Sequence, residues 1–254
     1  MSAIALSDGD KMYIKSDDAI PMSEAEEINK YFEMTGSIAA SGNIMSLLNF
    51  STSLTDYAFN GLFLDCTVLT TAPELPVTTL APYCYYDMFD NCTSLTTVPE
   101  LPATVLVTNC YNYMFSNCLS IKTVSKLPAV VLAPYCYADM FSNCTSLAQV
   151  PETLIATELS DNCYANMFLG CTSLTTAPEL PATTLADGCY NQMFYGCSNL
   201  NYVKAMFTTI VSEKLELTDW LTDVSPTGTF IKSKDATWTN EDAGIPSGWT
   251  VQTA

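Results

Sequence analysis

The sequence predicts an α/β solenoid: a right-handed coil of about six 26-residue repeats, closed at each end by a β-rich cap. Three observations predict it. A block of 26 residues recurs five times along the middle of the 254-residue chain, with a degenerate copy in front. Its cysteines keep register through the whole array. Each block changes from helical to extended spacing halfway through. A fixed period of this length marks stacked units, none of which can bury its apolar face without a neighbour.

Residues 1–53 read as the N-terminal cap. Within them Ile4 to Ile14 suggests two short strands around Asp8-Gly9, a hairpin-type turn signal, and Glu24 to Phe32 is polar enough for a loop or one exposed turn. Residues 54–207 form the solenoid, and residues 208–254 the C-terminal cap. In that second cap Leu215 to Leu221 is read as a last, altered helix, Thr227 to Lys232 as a strand, and Gly248 to Val251 as its partner. The three tryptophans, Trp220, Trp238 and Trp249, all fall here and are read as a lid over the last rung.

Within the solenoid the second cysteine of each block sits at positions 66, 92, 118, 144, 171 and 197. The first sits eight residues earlier, at Cys84, Cys110, Cys136, Cys163 and Cys189, with Ala58 in the leading block. The one longer step comes from a residue inserted near Thr153, which belongs in a loop. Cys84, Met88 and Cys92 are spaced i, i+4, i+8, with Tyr85 and Phe89 beside them, which predicts a helix of about two turns. Leu95, Val98 and Leu101 then point inward from an extended segment whose prolines, Pro99 and Pro102, forbid helix. The stretch from Ala103 to Leu106 is a second extended side that buries one leucine per coil. At about 4.8 Å per coil the stack is roughly 30 Å tall.

The pattern Cys-x-x-x-Met-Phe-x-x-Cys-x-Ser-Leu-x-x-x-Pro-x-Leu-Pro resembles the BspA-like leucine-rich repeats of Bacteroides-type surface proteins. Members of that group usually carry Ile where Cys84 stands and Ala where Met88 stands, at a period of about 23 residues. Ala40 to Leu48, Gly228 to Lys232 and Gly244 to Val251 look like flanking segments of relatives with the longer repeat, so the resemblance runs from about residue 40 to the end. It implies a leucine-rich-repeat-like coil and extracellular or cell-surface adhesion on a bacterium. Fold alone does not settle activity.

Composition narrows the classes further. The net charge is −18, from 27 acidic residues against 9 lysines, with no arginine and no histidine. Nucleic-acid binding rests on cations that neutralise phosphates, so it is not expected, and an anionic membrane surface is disfavoured for the same reason. No run of about 18 apolar residues predicts membrane insertion. The first residues lack the basic head and apolar stretch of an export signal, so either the chain is not exported that way or the signal lies outside this sequence.

Eleven cysteines cannot all pair internally. Cys-x3-Met-x3-Cys offers three soft ligands, yet the motif is repeated unchanged in five blocks, as a core rung requires, and no Cys-x2-Cys spacing or histidine supports zinc. Mostly free, buried thiols are expected, with no metal and no cofactor. The column Tyr85, Tyr111, Tyr137, Tyr164 and Tyr190 is expected to pack partly buried with its hydroxyls at the surface. No triad, phosphate loop or arginine clamp is present, and acidic residues such as Glu74, Glu100, Glu152 and Glu179 recur by repeat position, so catalysis is not expected.

Binding is the stronger expectation. Thr71, Thr97, Thr123, Gln149, Thr176 and Tyr202 flank the inward column and form a polar strip on the sheet face, beside Pro73, Pro99, Ser125, Pro151, Pro178 and Lys204. Such a strip suits a host protein or glycan, although threonine is also simply a good exposed strand residue. The expected function is non-catalytic recognition or adhesion by a monomer or a part of a larger chain. The alternative is a structural spacer in a larger surface or virion assembly.

Overall fold

The computed structural model describes residues 36–211 and 215–254. The expected hairpin at residues 4–14 and the segment at residues 24–32 lie outside the described residues. The described chain is a stack of parallel coils. Isolated bridges pair Val105 with Val131, Thr123 with Gln149, and Thr176 with Tyr202, each pair 26 residues apart. At the N-terminal end β1 (Ile38–Ala39) pairs in parallel with β2 (Leu69–Thr71). Between them lies a 3₁₀ helix, Ile44–Leu48, whose first turn is capped by the Asn43 side chain accepting from the Met45 N–H at 2.8 Å.

At the other end β3 (Tyr202–Ala205), β4 (Gly228–Lys232) and β5 (Trp249–Thr253) form one parallel three-stranded sheet. The expected partnership of the last two strands is therefore present, and both continue the ladder of the repeats. Between the two ends strand pairing is reduced to single bridges, because Pro73, Pro99, Pro151 and Pro178 remove donors from the limb that carries them.

The expected two-turn helix does not form. Among the described residues there is no α-helix; the segment from Tyr83 to Cys92 is a chain of tight turns. Every fourth residue there has positive φ: Tyr83 at 57°, Asp87 at 53° and Asn91 at 58°. The same three columns are left-handed in later coils, through Asn109, Tyr113 and Asn117, then Tyr135, Asp139 and Asn143. One left-handed residue in four cannot propagate an α-helix. Helix and this turn ribbon share the i, i+4 spacing of inward residues, and that is why periodicity alone misassigns the limb.

The backbone bonds follow from the geometry. Cys84, Tyr86, Met88, Asp90 and Cys92 donate within the coil to the carbonyl three residues back. Tyr85, Asp87, Phe89 and Asn91 donate instead to the next coil, at Cys110, Asn112, Met114 and Ser116. Alternate N–H groups thus close turns and tie coils together, so the limb satisfies its donors without helix or strand. Trp220 belongs to the same system: Leu215 to Asp223 forms another rung of turns, not an altered helix, and the Trp220 carbonyl accepts from the Phe194 N–H at 3.0 Å.

Packing repeats with the coil. Cys84, Met88, Phe89 and Cys92 are wholly buried, as are their equivalents up to Cys197. Phe63, Phe89, Phe115, Phe141, Phe168 and Phe194 stack at 5.3 to 6.0 Å between ring centroids, within 7° of parallel. A second stack runs from Phe59 through Tyr85, Tyr111, Tyr137, Tyr164 and Tyr190 to Trp220 at 5.8 to 6.1 Å. Offset stacking at such distances is the favourable arrangement for aromatic rings. The tyrosines of this stack are fully buried, not partly exposed as expected. The Tyr85 and Tyr137 hydroxyls lie inside with no hydrogen-bond partner, because the coil spacing positions each ring on its neighbour and leaves the hydroxyl no route to solvent.

Candidate functional site

All eleven cysteines are free and buried. The second-column thiols have a specific structural task. Cys92, Cys118, Cys144, Cys171 and Cys197 each donate through Sγ to a phenylalanine carbonyl one coil back, at 3.0 to 3.2 Å. Burial pushes the thiols up, Cys66 to about 11 and Cys84, Cys136, Cys144, Cys189 and Cys197 to about 12. A thiol held protonated is a poor nucleophile and a poor ligand.

The structure places all six residues of the sheet strip, Thr71, Thr97, Thr123, Gln149, Thr176 and Tyr202, at exposed positions. Thr123 and Gln149 face each other across adjacent coils, with the Thr123 hydroxyl donating to Gln149 Oε1 at 3.2 Å. Thr176 and Tyr202 are likewise bridged. Four of the six, Thr123, Gln149, Thr176 and Tyr202, line one shallow depression of about 660 Å³; Thr71 and Thr97 lie outside it. Glu152, Glu179 and Lys204 form its border, and Lys204 meets Glu179 at 2.9 Å. The hydrogen bond to Glu179 raises the Lys204 pKa.

Two strip residues escape the sequence reading. Thr229 and Thr250 extend the column beyond Tyr202, since Tyr202 pairs with Thr229 and Thr229 with Thr250. The signal was present: Gly-Thr-Phe-Ile and Trp-Thr-Val repeat the alternation of outward threonine and inward apolar residue seen in Tyr202-Val203.

A second concavity, of about 400 Å³, lies on the turn limb and was also missed. Tyr57, Tyr83 and Tyr135 border it, with Tyr86 and the amides of Asn60, Asn109 and Asn112. Tyr57 and Tyr83 stack at 4.6 Å, and Tyr86 meets Tyr113 edge-on at 5.9 Å. Beside it lie Asp87, whose carboxyl is pushed up to about 7 by burial and by Asp90 and Asp139, and Asp139 itself, raised by burial. Tyrosines 83 and 85 look alike in sequence; only the turn geometry shows that one faces out and the other in.

A family model described as BspA type leucine rich repeat region matches the chain in six copies, over residues 52–201 and 135–240. No curated protein and no solved structure matches it.

Proposed function

The chain belongs to the BspA-type leucine-rich-repeat family, and from that premise we propose that it is a non-catalytic recognition or adhesion module of a bacterial surface. In this reading the coil is right-handed, residues 1–53 and 208–254 close its two ends, and the sheet strip is the contact surface for an extracellular protein or glycan. The observation that carries the proposal is the strip's register. Its six positions are exposed, recur once per coil, and differ in identity only at Gln149 and Tyr202. Repeated small polar groups give contact at many points, and the two variant positions, both in the depression, set specificity.

The border of the strip narrows the partner. Glu74, Glu100 and Glu152 are exposed along one edge, and the chain carries −18 overall. Such an edge favours a donor-rich or basic partner surface and repels an acidic one. The test is a screen of the full chain against arrays of glycans and extracellular matrix proteins, repeated with Gln149→Ala and Tyr202→Ala. Recognition through the strip requires a ligand whose binding both variants weaken. If nothing binds, and the chain instead packs against its own neighbouring domains or copies, the spacer reading takes its place.

A further inference from the structure

We infer that the slot between Tyr83 and Tyr135 on the turn limb is a second binding site, one that takes a single ring of a neutral carbohydrate. It is separate from the sheet strip: Asn109 follows Thr97 by 12 residues in a 26-residue coil, on the other limb.

The slot arises from one substitution within a column. Positions 57, 83, 109 and 135 are equivalent in successive coils and read Tyr, Tyr, Asn, Tyr. Where tyrosines are adjacent, as at Tyr57 and Tyr83, their rings stack at 4.6 Å and leave no room between them. Asn109 removes one ring from the series and is itself buried. Tyr83 and Tyr135 are therefore two coil spacings apart, about 10 Å. A flat ring needs about 3.5–4.0 Å to each wall, so one ring fits between them.

The floor supplies polar groups. Asn112 donates through Nδ2 to Asn109 Oδ1 at 2.7 Å. Asn112 is only 6% exposed, and its Oδ1 has no hydrogen-bond partner. Such an unpaired acceptor is costly, and a small turn of the Asn112 side chain towards the slot brings it to a ligand hydroxyl. Tyrosine faces on the walls and amides on the floor match a pyranose, which has apolar C–H faces and a hydroxylated rim.

Charge selects among sugars. No carboxylate lines the slot, so a cation has no direct partner within it. Asp87, Asp90 and Asp139 act on the slot's Tyr86 and, when ionised, repel sialic acid, sulfate or phosphate groups; their weaker pull on a cation is what a lysine-rich peptide tests. The ligand class left is a neutral hexose or N-acetylhexosamine.

The test uses the full chain with cellotetraose, maltotetraose, chitotetraose and mannotetraose, a sialylated trisaccharide, and a lysine-rich peptide, read by calorimetry and saturation-transfer NMR. At least one neutral tetrasaccharide should bind. Tyr135→Asn should weaken it about tenfold or more, through loss of one stacking wall. Asparagine occupies this positive-φ column naturally at positions 109 and 162, so the variant keeps the fold. Asn109→Tyr refills the column and should abolish binding; it also removes the acceptor of the Asn112 amide, so some loss of melting temperature is expected and circular dichroism confirms that the variant is folded. Gln149→Ala, in the strip, should leave it unchanged. The inference is overturned if no neutral sugar binds, if only the sialylated sugar or the peptide binds, or if Asn109→Tyr binds as well as the parent. Sugar binding lost in Gln149→Ala and kept in Asn109→Tyr would assign the sugar to the strip and overturn it too.

Discussion

The Cys118 thiol donates to the Phe89 carbonyl at 3.1 Å, and that carbonyl also accepts the Cys92 backbone N–H at 3.1 Å. The second-column cysteine is thus a small core residue and a cross-coil donor that fills the carbonyl's second lone pair. Cys118→Ala should cost about 1–2 kcal/mol, from the lost bond and the space left by sulfur. Chemical denaturation of the variant beside the parent measures it. A cost near zero would mean that the thiol merely fills volume.

The same burial governs thiol chemistry. In the folded chain the thiols ionise well above their ordinary 9.0, with Cys84 at about 12. At pH 8 a thiol-reactive disulfide reagent should therefore label almost nothing until denaturant is added, and then eleven groups. The pH dependence has a definite sign. A raised thiol pKa gives stability that is complete below pH 9 and is lost as the pH climbs from 9 towards 12, because the unfolded chain then releases protons that the folded one keeps. Melting temperature should fall over that window, and fall less in a variant with two or three of these cysteines replaced by alanine.

Much of this architecture is legible in the sequence, and the failures have one physical source. Cys84, Met88 and Cys92 were rightly placed in the core, because burial imposes a period whatever the backbone does. The backbone was misread because a helix and a ribbon of four-residue turns bury the same positions. What separates them is the residue at the fourth place: Gly61, Asp87, Asp139 and Asn166 in one column, where Tyr113 and Gln192 are the exceptions, and Asp65, Asn91, Asn117 and Asn143 in another. Glycine, aspartate and asparagine are the residues that tolerate left-handed φ, and read by column they announce turns. The sheet strip was legible because strand alternation is simple. The tyrosine slot was not, since it depends on one missing ring in a column visible only after the turn geometry is known.

Asp87 gives a pH effect of opposite origin. Its carboxyl is raised to about 7, chiefly by burial and then by Asp90 and Asp139. In an acid a raised folded pKa supports stability below the unfolded value of about 4 and withdraws it as the pH rises from 4 through about 7. Asp87→Asn should therefore stabilise the chain at pH 8, by about 1 kcal/mol once solvent screening of this part-exposed group is allowed for, and by progressively less towards pH 5. Asparagine suits the left-handed backbone, as Asn166 does in the same column at φ 55°. Thermal melts of both proteins across that range test the sign directly.

The left-handed columns make their own prediction. Asn143 has φ 58°, and its amide donates to Asn117 Oδ1 at 3.1 Å. Gly170 follows in that column at φ 68°, and a Cβ there would come within 2.6 Å of Asn143 Oδ1. Asn143→Ala should cost about 1–2 kcal/mol, because a Cβ in this region is strained and the amide bond is lost. Asn143→Gly should cost less, since it loses the bond and relieves the strain. The reverse order, measured by denaturation, would show that glycine's extra backbone entropy outweighs the strain of a Cβ at this left-handed position, since both variants lose the same amide bond.

Trp220 ends both aromatic stacks at once, with Tyr190 at 6.1 Å and Phe194 at 6.4 Å. It is fully buried, and its Nε1 donates to the Ala243 carbonyl at 2.7 Å, tying the last described segment to the final ladder rung. Trp220→Ala removes the ring, the bond and the closure together and should cost about 3–5 kcal/mol. Coils in such a stack are stabilised mainly by their neighbours, so the loss should be local before it is global. Native-state hydrogen exchange should show protection lost at the β3, β4 and β5 amides and retained around Phe89 and Phe115. Uniform loss across the array would mean that the stack unfolds as one cooperative unit and that Trp220 stabilises the whole of it, not one end.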